Sequence, residues 1–352
     1  MGLTPSASFA DTISELVEGR SLGGEGAADA LAVLLSGTCP PEQIAGFLVA
    51  MAAKSPTIEE LVGLLGAMMR LSVRLELPAE LLDRAVDVVG TGGDRLGTFN
   101  VSTTAAFVVA AAGVPVVKHG SRRATSAAGS ADVLEALGVT IAPGPDVVAR
   151  CVAEAGFGFC FAPAFHPALA AVAPVRSALG IRTVFNYLGP MANPAGVRHL
   201  LLGVSDPVLQ DLMAVVVGER GVRHAMVVRG EDGLDEVSPA ATTRSLDVRT
   251  DDEGTVTVRE ARLDPVSHGL ARVPIASILG GDALHNARAT REILEGGAGP
   301  LRDVTVLNAA AALVAADRCG SLDEGLAVAG DALASGRAVR VLNDVIALTA
   351  PG

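Results

Sequence analysis

The chain has 352 residues, 50% of them hydrophobic and 19% charged, with a formal net charge of −12, no Trp and a single Tyr. That balance excludes a nucleic-acid binder, which needs a basic face and usually aromatic stacking platforms, and the length points to two domains. The four cysteines, Cys39, Cys151, Cys160 and Cys319, are scattered without a Cys-x-x-Cys pair, so zinc ribbons and a disulfide framework are excluded and free buried thiols are expected.

The N-terminal Met-Gly-Leu-Thr-Pro-Ser has no basic segment ahead of an apolar stretch, and the longest apolar runs, such as residues 105–117, contain Gly and Pro. A cytoplasmic chain without a membrane span is therefore expected. Up to about Leu77 the pattern is helical. Ile44, Phe47, Leu48 and Met51 repeat at helical spacing after Cys39-Pro40-Pro41. Leu61, Leu64, Leu65 and Met68 do so behind Thr57 and Glu60, a capping-box pair. Such stripes ordinarily mean core or subunit interface, not chemistry.

After Pro78 the rhythm becomes strand, Gly-rich turn, helix, strand. Short apolar runs at 86–89, 114–117, 139–141, 157–161, 200–204 and 225–228 read as strands, and 103–112, 130–137 and 145–155 as helices. This is the pattern of a mainly parallel sheet covered on both faces. Residues 244–262 alternate polar and apolar around Asp252-Glu253-Gly254, as an antiparallel hairpin does. Two helices, near 303–316 and 322–335, are expected to close the chain.

Four segments carry chemistry. Gly90-Thr91-Gly92-Gly93-Asp94 follows the first strand. Alone it is an ordinary turn. A dinucleotide fingerprint would need Gly where Arg95 stands, and a P-loop would need Gly-Lys-Ser/Thr. Its glycines still allow close backbone approach to a ligand, and Asp94 can accept a sugar hydroxyl. Asn100-Val101-Ser102-Thr103 opens the next helix. Such residues are most often plain caps, yet helix-start N–H groups also seat a pyrophosphate, and a Ser hydroxyl can ligate magnesium. Lys118-His119-Gly120-Ser121-Arg122 follows the second strand and leads to Ser126, Gly129 and Ser130. The alternative to a solvated basic loop is a second anion seat with Lys118 as counter-charge. Asp235-Glu236, beyond the 225–228 strand, are ordinarily solvated acids. At the carboxyl edge of an α/β sheet they can hold magnesium instead.

In order and spacing these segments resemble the anthranilate phosphoribosyltransferases along nearly the whole chain. Further matches are Phe161-Ala162-Pro163 with His166-Pro167, Val175-Arg176, residues 179–183, Phe185-Asn186, residues 188–190 and Asn193-Pro194. Gly233 to Glu236, Gly280-Gly281-Asp282 with Asn286, and residues 307–311 match as well. The resemblance implies an α/β protein of nucleoside phosphorylase/phosphoribosyltransferase-like fold, a small all-helical domain plus a larger α/β domain with a mainly parallel central sheet. Residues 1–77, with 167–195 packing onto them, would form the helical domain, and 78–166 with 196–352 the α/β domain. The helical domain would make a homodimer.

The same resemblance implies transfer of phosphoribose from phosphoribosyl pyrophosphate (PRPP) to the amine of anthranilate. Gly90, Gly93, Asp94, Thr98, Asn100, Val101, Ser102, Thr103, Lys118, His119, Gly120, Ser121, Arg122, Arg123, Ala124, Thr125, Ser126 and Ser130 would line PRPP. Arg176 would grip the acceptor carboxylate, to which its fork is matched. Ser102, Asp235 and Glu236 would hold Mg2+, and Lys118, Asp235 and Glu236 would be the catalytic groups. Ser121 stands where the family usually has Asn, and Arg123 where a small residue is commoner. That leaves open a paralogue acting on another aminobenzoate, beside a nucleoside-phosphorylase-like enzyme and a non-catalytic homologue.

Overall fold

The computed structural model describes residues 8–122 and 128–351. The chain divides into two compact units, residues 1–73 with 165–192 and residues 74–164 with 193–352.

The first unit is helical. Its N-terminal part supplies α1 (Phe9–Val17), α2 (Gly23–Leu35), α3 (Pro41–Lys54) and α4 (Ile58–Arg70). Pro41 occupies the first turn of α3, where its missing N–H costs nothing. The Thr57 hydroxyl accepts from Glu60 N at 3.3 Å, and Glu60 Oε2 accepts from Thr57 N at 2.8 Å. The capping box forms as its sequence predicts, and both apolar stripes are buried. Glu60 is itself fully buried, and also accepts from Leu22 N at 2.9 Å and Lys54 Nζ at 2.7 Å. One carboxylate thus ties α4 to the start of α2 and the end of α3.

The second unit begins with a short α5 (Ala79–Leu82) and β1 (Val86–Gly90). There follow α6 (Val101–Ala111), β2 (Val116–Gly120), α7 (Ser130–Ala136), α8 (Pro145–Ala155), β3 (Phe157–Phe161) and α9 (Ala162–Phe165). The chain then contributes α10 (Ala173–Leu179) and α11 (Phe185–Met191) to the first unit. It returns with β4 (His199–Gly203), α12 (Pro207–Glu219), β5 (His224–Gly230), β6 (Thr243–Thr250) and β7 (Val256–Leu263). Helices α13 (Ala283–Leu294), α14 (Pro300–Ala315), α15 (Leu322–Ala334) and α16 (Arg337–Thr349) complete it.

The seven strands lie in the order β3-β2-β1-β4-β5-β6-β7, with β1 to β5 parallel and β6 and β7 an antiparallel hairpin. From β1 the chain builds outward through β2 and β3, then returns to place β4 on the other side of β1. The order therefore reverses between β1 and β4, and the crevice beyond their carboxyl ends is where such sheets bind ligands. Helix α6, buried almost throughout, packs between the sheet and α14, and Phe107 stacks on Phe157 with ring centroids 4.3 Å apart. Along the far edge, residues 257–262 of β7 are all exposed. Among the described residues no helix is long and apolar enough to cross a membrane. All four cysteines are free, and all but the half-buried Cys39 are buried as expected.

Two expectations need correction. Residues 139–141 are not a strand: Val139 N donates to Leu134 O, closing α7, and Thr140 N donates to Thr349 Oγ1. Their donors are thus taken by helix ends, while Val139 and Ile141 are buried as an apolar turn between helices. The chain also closes on three consecutive helices, not two. Gly336, in the left-handed region at φ 69°, breaks the run after α15 and lets α16 turn back on Ala338, Leu342 and Val345.

Candidate active site

At the carboxyl end of β1 the backbone turns so that Thr91 N donates to Gly203 O, the last residue of β4, at 2.9 Å. From the β4 side, Ser205 Oγ donates to Gly92 O at 3.0 Å. The two loops of the switch point are thereby locked together. Into this corner comes Asp235, whose Oδ2 accepts from Gly92 N at 2.6 Å. A Cβ on Gly203 would lie 1.6 Å from Asp235 O, and one on Gly90 2.5 Å from Asp235 Oδ2. Glycine is required at both places for close approach. We expect Gly203→Ala to destabilise the protein by about 3 kcal/mol, as overpacking against backbone does, read as a lowered urea midpoint.

The neighbouring Glu236 caps α6: its Oε1 accepts from Ser102 N at 3.1 Å. A carboxylate at a helix start stands where an anion is favoured. Beside it is Lys118, 2% exposed. Its Nζ donates to Val88 O and to Ser102 Oγ, the latter at 3.3 Å. Lys118 is therefore no solvated loop residue. Asp87, buried in β1, faces the same ammonium from below and accepts from His119 N at 3.2 and 3.3 Å. Asn193 Nδ2 donates to Asp87 Oδ2 at 2.8 Å and to Val117 O at 2.8 Å.

The electrostatics follow from enclosure. Burial, then the Asp94 charge, pushes the Asp235 carboxyl up to about 7. Burial and the Asp235 charge push Glu236 up to about 8, with Lys118 opposing. Burial pushes Asp87 up to about 6, again against Lys118. The Lys118 ammonium is lowered by burial and held up by Asp87 and Glu236. Asp94, Asp235 and Glu236 thus crowd one another with oxygen donors only, Glu236 beside the Lys118 ammonium, which fits a hard divalent cation.

The loop from Gly92 to Asn100 is braced from the far side. Gly280 N donates to Gly97 O at 2.8 Å, Phe99 N to Ile278 O at 3.0 Å, and Thr98 bridges to Leu279. Asn286 Nδ2 donates to Asn100 Oδ1 at 2.8 Å, while its Oδ1 accepts from Gly281 N at 2.8 Å. Asn100 Nδ2 in turn donates to Ala128 O at 3.2 Å, so this side chain links three segments and does not cap α6. Val101 and Thr103 are buried in the core, and Val101 N donates to Phe99 O at 2.8 Å.

In the second loop, Ser130 Oγ and Ala131 N donate to Ser121 O at 3.3 and 3.2 Å, fixing Ser121 against the start of α7. Arg122 is drawn elsewhere. Its guanidinium pairs with Asp132 at 3.0 Å and Glu135 at 2.8 Å and lies 5.8 Å over the Phe161 ring, so α7 already holds the charge assigned to a phosphate. Arg123, Ala124, Thr125 and Ser126 lie outside the described residues. Arg176, on α10 of the helical unit, sits 4.9 Å over the Phe185 ring, its pKa lowered by burial. Asp94, Ser102, Lys118, Asp235 and Glu236, remote in sequence, meet at one corner. Asp87, Ser205 and Asn286 are the working residues that the sequence left without a role. Asp87 precedes Gly90 by three residues, and its charge within an apolar strand is the signal that could have found it.

Comparison with known proteins agrees with this architecture. Residues 82–339 match the model "Glycosyl transferase family, a/b domain", and residues 10–72 match "Glycosyl transferase family, helical bundle domain". The chain is 51% identical to the anthranilate phosphoribosyltransferase of Thermomicrobium roseum over 327 residues, 93% of each chain. The solved anthranilate phosphoribosyltransferase of Thermus thermophilus superposes with a TM-score of 0.88 at 40% identity, covering 96% of this chain and 99% of the other. That of Saccharomyces cerevisiae, in complex with PRPP and Mg, gives 0.88 at 29% identity over 98% of each.

Proposed function

The chain belongs to the family of anthranilate phosphoribosyltransferases, and on that premise we infer that it transfers the phosphoribosyl group of PRPP to the amine of anthranilate, yielding N-(5-phosphoribosyl)anthranilate and pyrophosphate in tryptophan biosynthesis. The observation that carries the site assignment is the meeting of Asp235 and Glu236 with Gly92, Ser102 and Lys118 at the sheet's switch point.

In the reaction the bond from ribose carbon 1 to the pyrophosphate oxygen breaks with its electron pair on oxygen. The aniline nitrogen forms the new bond with its own lone pair and afterwards sheds a proton to water. Nothing must strengthen the nucleophile, so the protein's task is to receive the leaving group. The Gly92 to Asn100 loop and the N–H groups at the start of α6 would cradle the diphosphate, with Asp94 accepting from a ribose hydroxyl. Lys118, held in place by Val88 O and Ser102 Oγ, would meet the departing charge from within the protein. Ser102, Asp235 and Glu236 would hold Mg2+, which supplies neutralisation of the pyrophosphate. Arg176 would orient the anthranilate carboxylate, and Ser121 would face the acceptor.

The test is pyrophosphate release with PRPP and Mg2+ present. It should require anthranilate, with mass spectrometry detecting the phosphoribosylated amine. Release with another aminobenzoate but not anthranilate would overturn the acceptor assignment. Conversion of nucleoside and free phosphate would overturn the reaction class. The brace gives a further expectation. Asn286→Ala frees Asn100 and the first loop, so kcat/KM for PRPP should fall roughly ten- to a hundredfold through misplacement, chiefly in KM, in steady-state assays.

A homodimer through the helical unit accords with its uncovered apolar side chains Val17, Val33 and Val49. Light scattering should return twice the 35.5 kDa chain mass. Four free thiols accord with a cytoplasmic enzyme.

A further inference from the structure

The opposite end of the sheet gathers a second set of ligating groups. His199 opens β4 and His224 opens β5, and the parallel register sets them side by side. Their imidazoles are enclosed, at 3% and 0% exposure. Asp317, just past the end of α14, reaches both: Oδ1 lies 2.8 Å from His224 Nδ1, and Oδ2 3.9 Å from His199 Nδ1. The Ala315 carbonyl, at the end of α14, lies 3.0 Å from His199 Nδ1. Each ring's other nitrogen meets an oxygen of its own: His199 Nε2 is 3.1 Å from Asp83 O, and His224 Nε2 is 3.4 Å from Asp247 Oδ1.

A ring that donates from Nε2 keeps its lone pair on Nδ1. In His199 both ring nitrogens face oxygens, so with Nε2–H donating to Asp83 O at 3.1 Å the Nδ1 lone pair opposes the Ala315 carbonyl at 3.0 Å unless positive charge lies between them. We propose that His199, His224 and Asp317, with the Ala315 carbonyl, bind a divalent cation of the zinc class. Ligand atoms around tetrahedral zinc stand about 3.3 Å apart for bonds near 2.0 Å. His199 Nδ1 stands 3.0 Å from Ala315 O and 3.9 Å from Asp317 Oδ2, spacings that bracket that value, and the side-chain ligand atoms all lie within 4.8 Å of one another. Asp83 O supplies the outer hydrogen bond that orients His199 as a ligand, and Asp247 Oδ1 stands 3.4 Å from His224 Nε2. The negative end of α14 favours a cation. Arg249, 3.1 Å from Asp317 Oδ1 and 3.2 Å from Asp247 Oδ1, steadies both carboxylates and leaves Asp317 Oδ2 for the ion. Asp317 keeps 42% of its side chain exposed, which gives the ion a way in. Two imidazoles separate this site from the all-oxygen catalytic corner and select zinc, nickel or cobalt over magnesium.

The test uses the full chain, stripped with EDTA and then held in excess Mg2+, titrated with Co2+ alone. One equivalent should give the strong visible absorption of a four-coordinate cobalt site, lost on adding Zn2+, and the thermal midpoint should rise with Zn2+. Asp317→Asn, exposed and outside the catalytic machinery, should weaken Co2+ binding roughly tenfold or more with phosphoribosyl transfer unchanged. His224→Asn should remove the spectrum. If it does not fold, Asp317→Asn carries the test. Absence of that absorption in the wild type, or equal affinity in Asp317→Asn, would show that protons, not a metal, bridge the cluster, and would overturn the proposal.

Discussion

Asp235→Asn together with Glu236→Gln is expected to cut phosphoribosyl transfer below about one-thousandth of the wild-type rate, with the protein still folded. The loss arises because both carboxylates point at the corner where the leaving group's charge must be received, and the amides keep shape while removing charge. The fold survives because Lys118 keeps Asp87 as its counter-charge when both acids are made neutral. Burial pushes them up to about 7 and about 8, so neutral replacements relieve crowding with Asp94. The Gly92 N and Ser102 N donors still find an oxygen in each amide. Pyrophosphate release and a thermal melt of the same sample check the claim. Near-normal turnover would remove both residues from the mechanism.

Lys118→Met is expected to lower turnover by about a hundred- to a thousandfold and, unlike the first variant, to destabilise the protein in a pH-dependent way. The ammonium lies between Asp87 and Glu236, and losing it leaves the buried Asp87 without the cation that holds its carboxyl down. Asp87 titrates at about 6 in the folded protein against about 3.9 in an unfolded chain. A folded value above the unfolded one means a contribution that is whole below about pH 4 and lost as pH rises through 6. Without Lys118 that carboxyl moves further up, and the loss at neutral pH deepens. The gap in thermal midpoint between variant and wild type should therefore be wide at pH 8 and narrow at pH 5. A constant gap would show that Lys118 and Asp87 do not share this charge balance.

Much of this is legible in the letters. Thr57 and Glu60 announce a helix start, and the glycines after β1 announce a close backbone approach. Periodicity is a local property, and these are local signals. What is not legible depends on where distant segments meet. Nothing about Asp235-Glu236 tells a solvated doublet from one buried against Gly92, since that difference comes from β4 returning beside β1. Arg122 reads as a phosphate ligand, and only the fold shows that α7 sets Asp132 and Glu135 beside it. Val139 and Ile141 read as a strand because a run of three residues, Val139-Thr140-Ile141, is too short to separate strand from buried turn. Gly336 is a single letter, yet its backbone conformation ends α15 and starts α16, a helix that the letters did not announce.

The exposed face of β7 has a bearing on how copies of this protein can associate. An open strand with unpaired amides invites another strand, but residues 257–262 carry Arg259, Glu260 and Arg262 into the solvent. A second β7 laid against this rim would strip these charged groups of water, so the sheet resists growth from molecule to molecule. Crowded solutions of the native protein should stay free of fibrillar cross-linking through this margin.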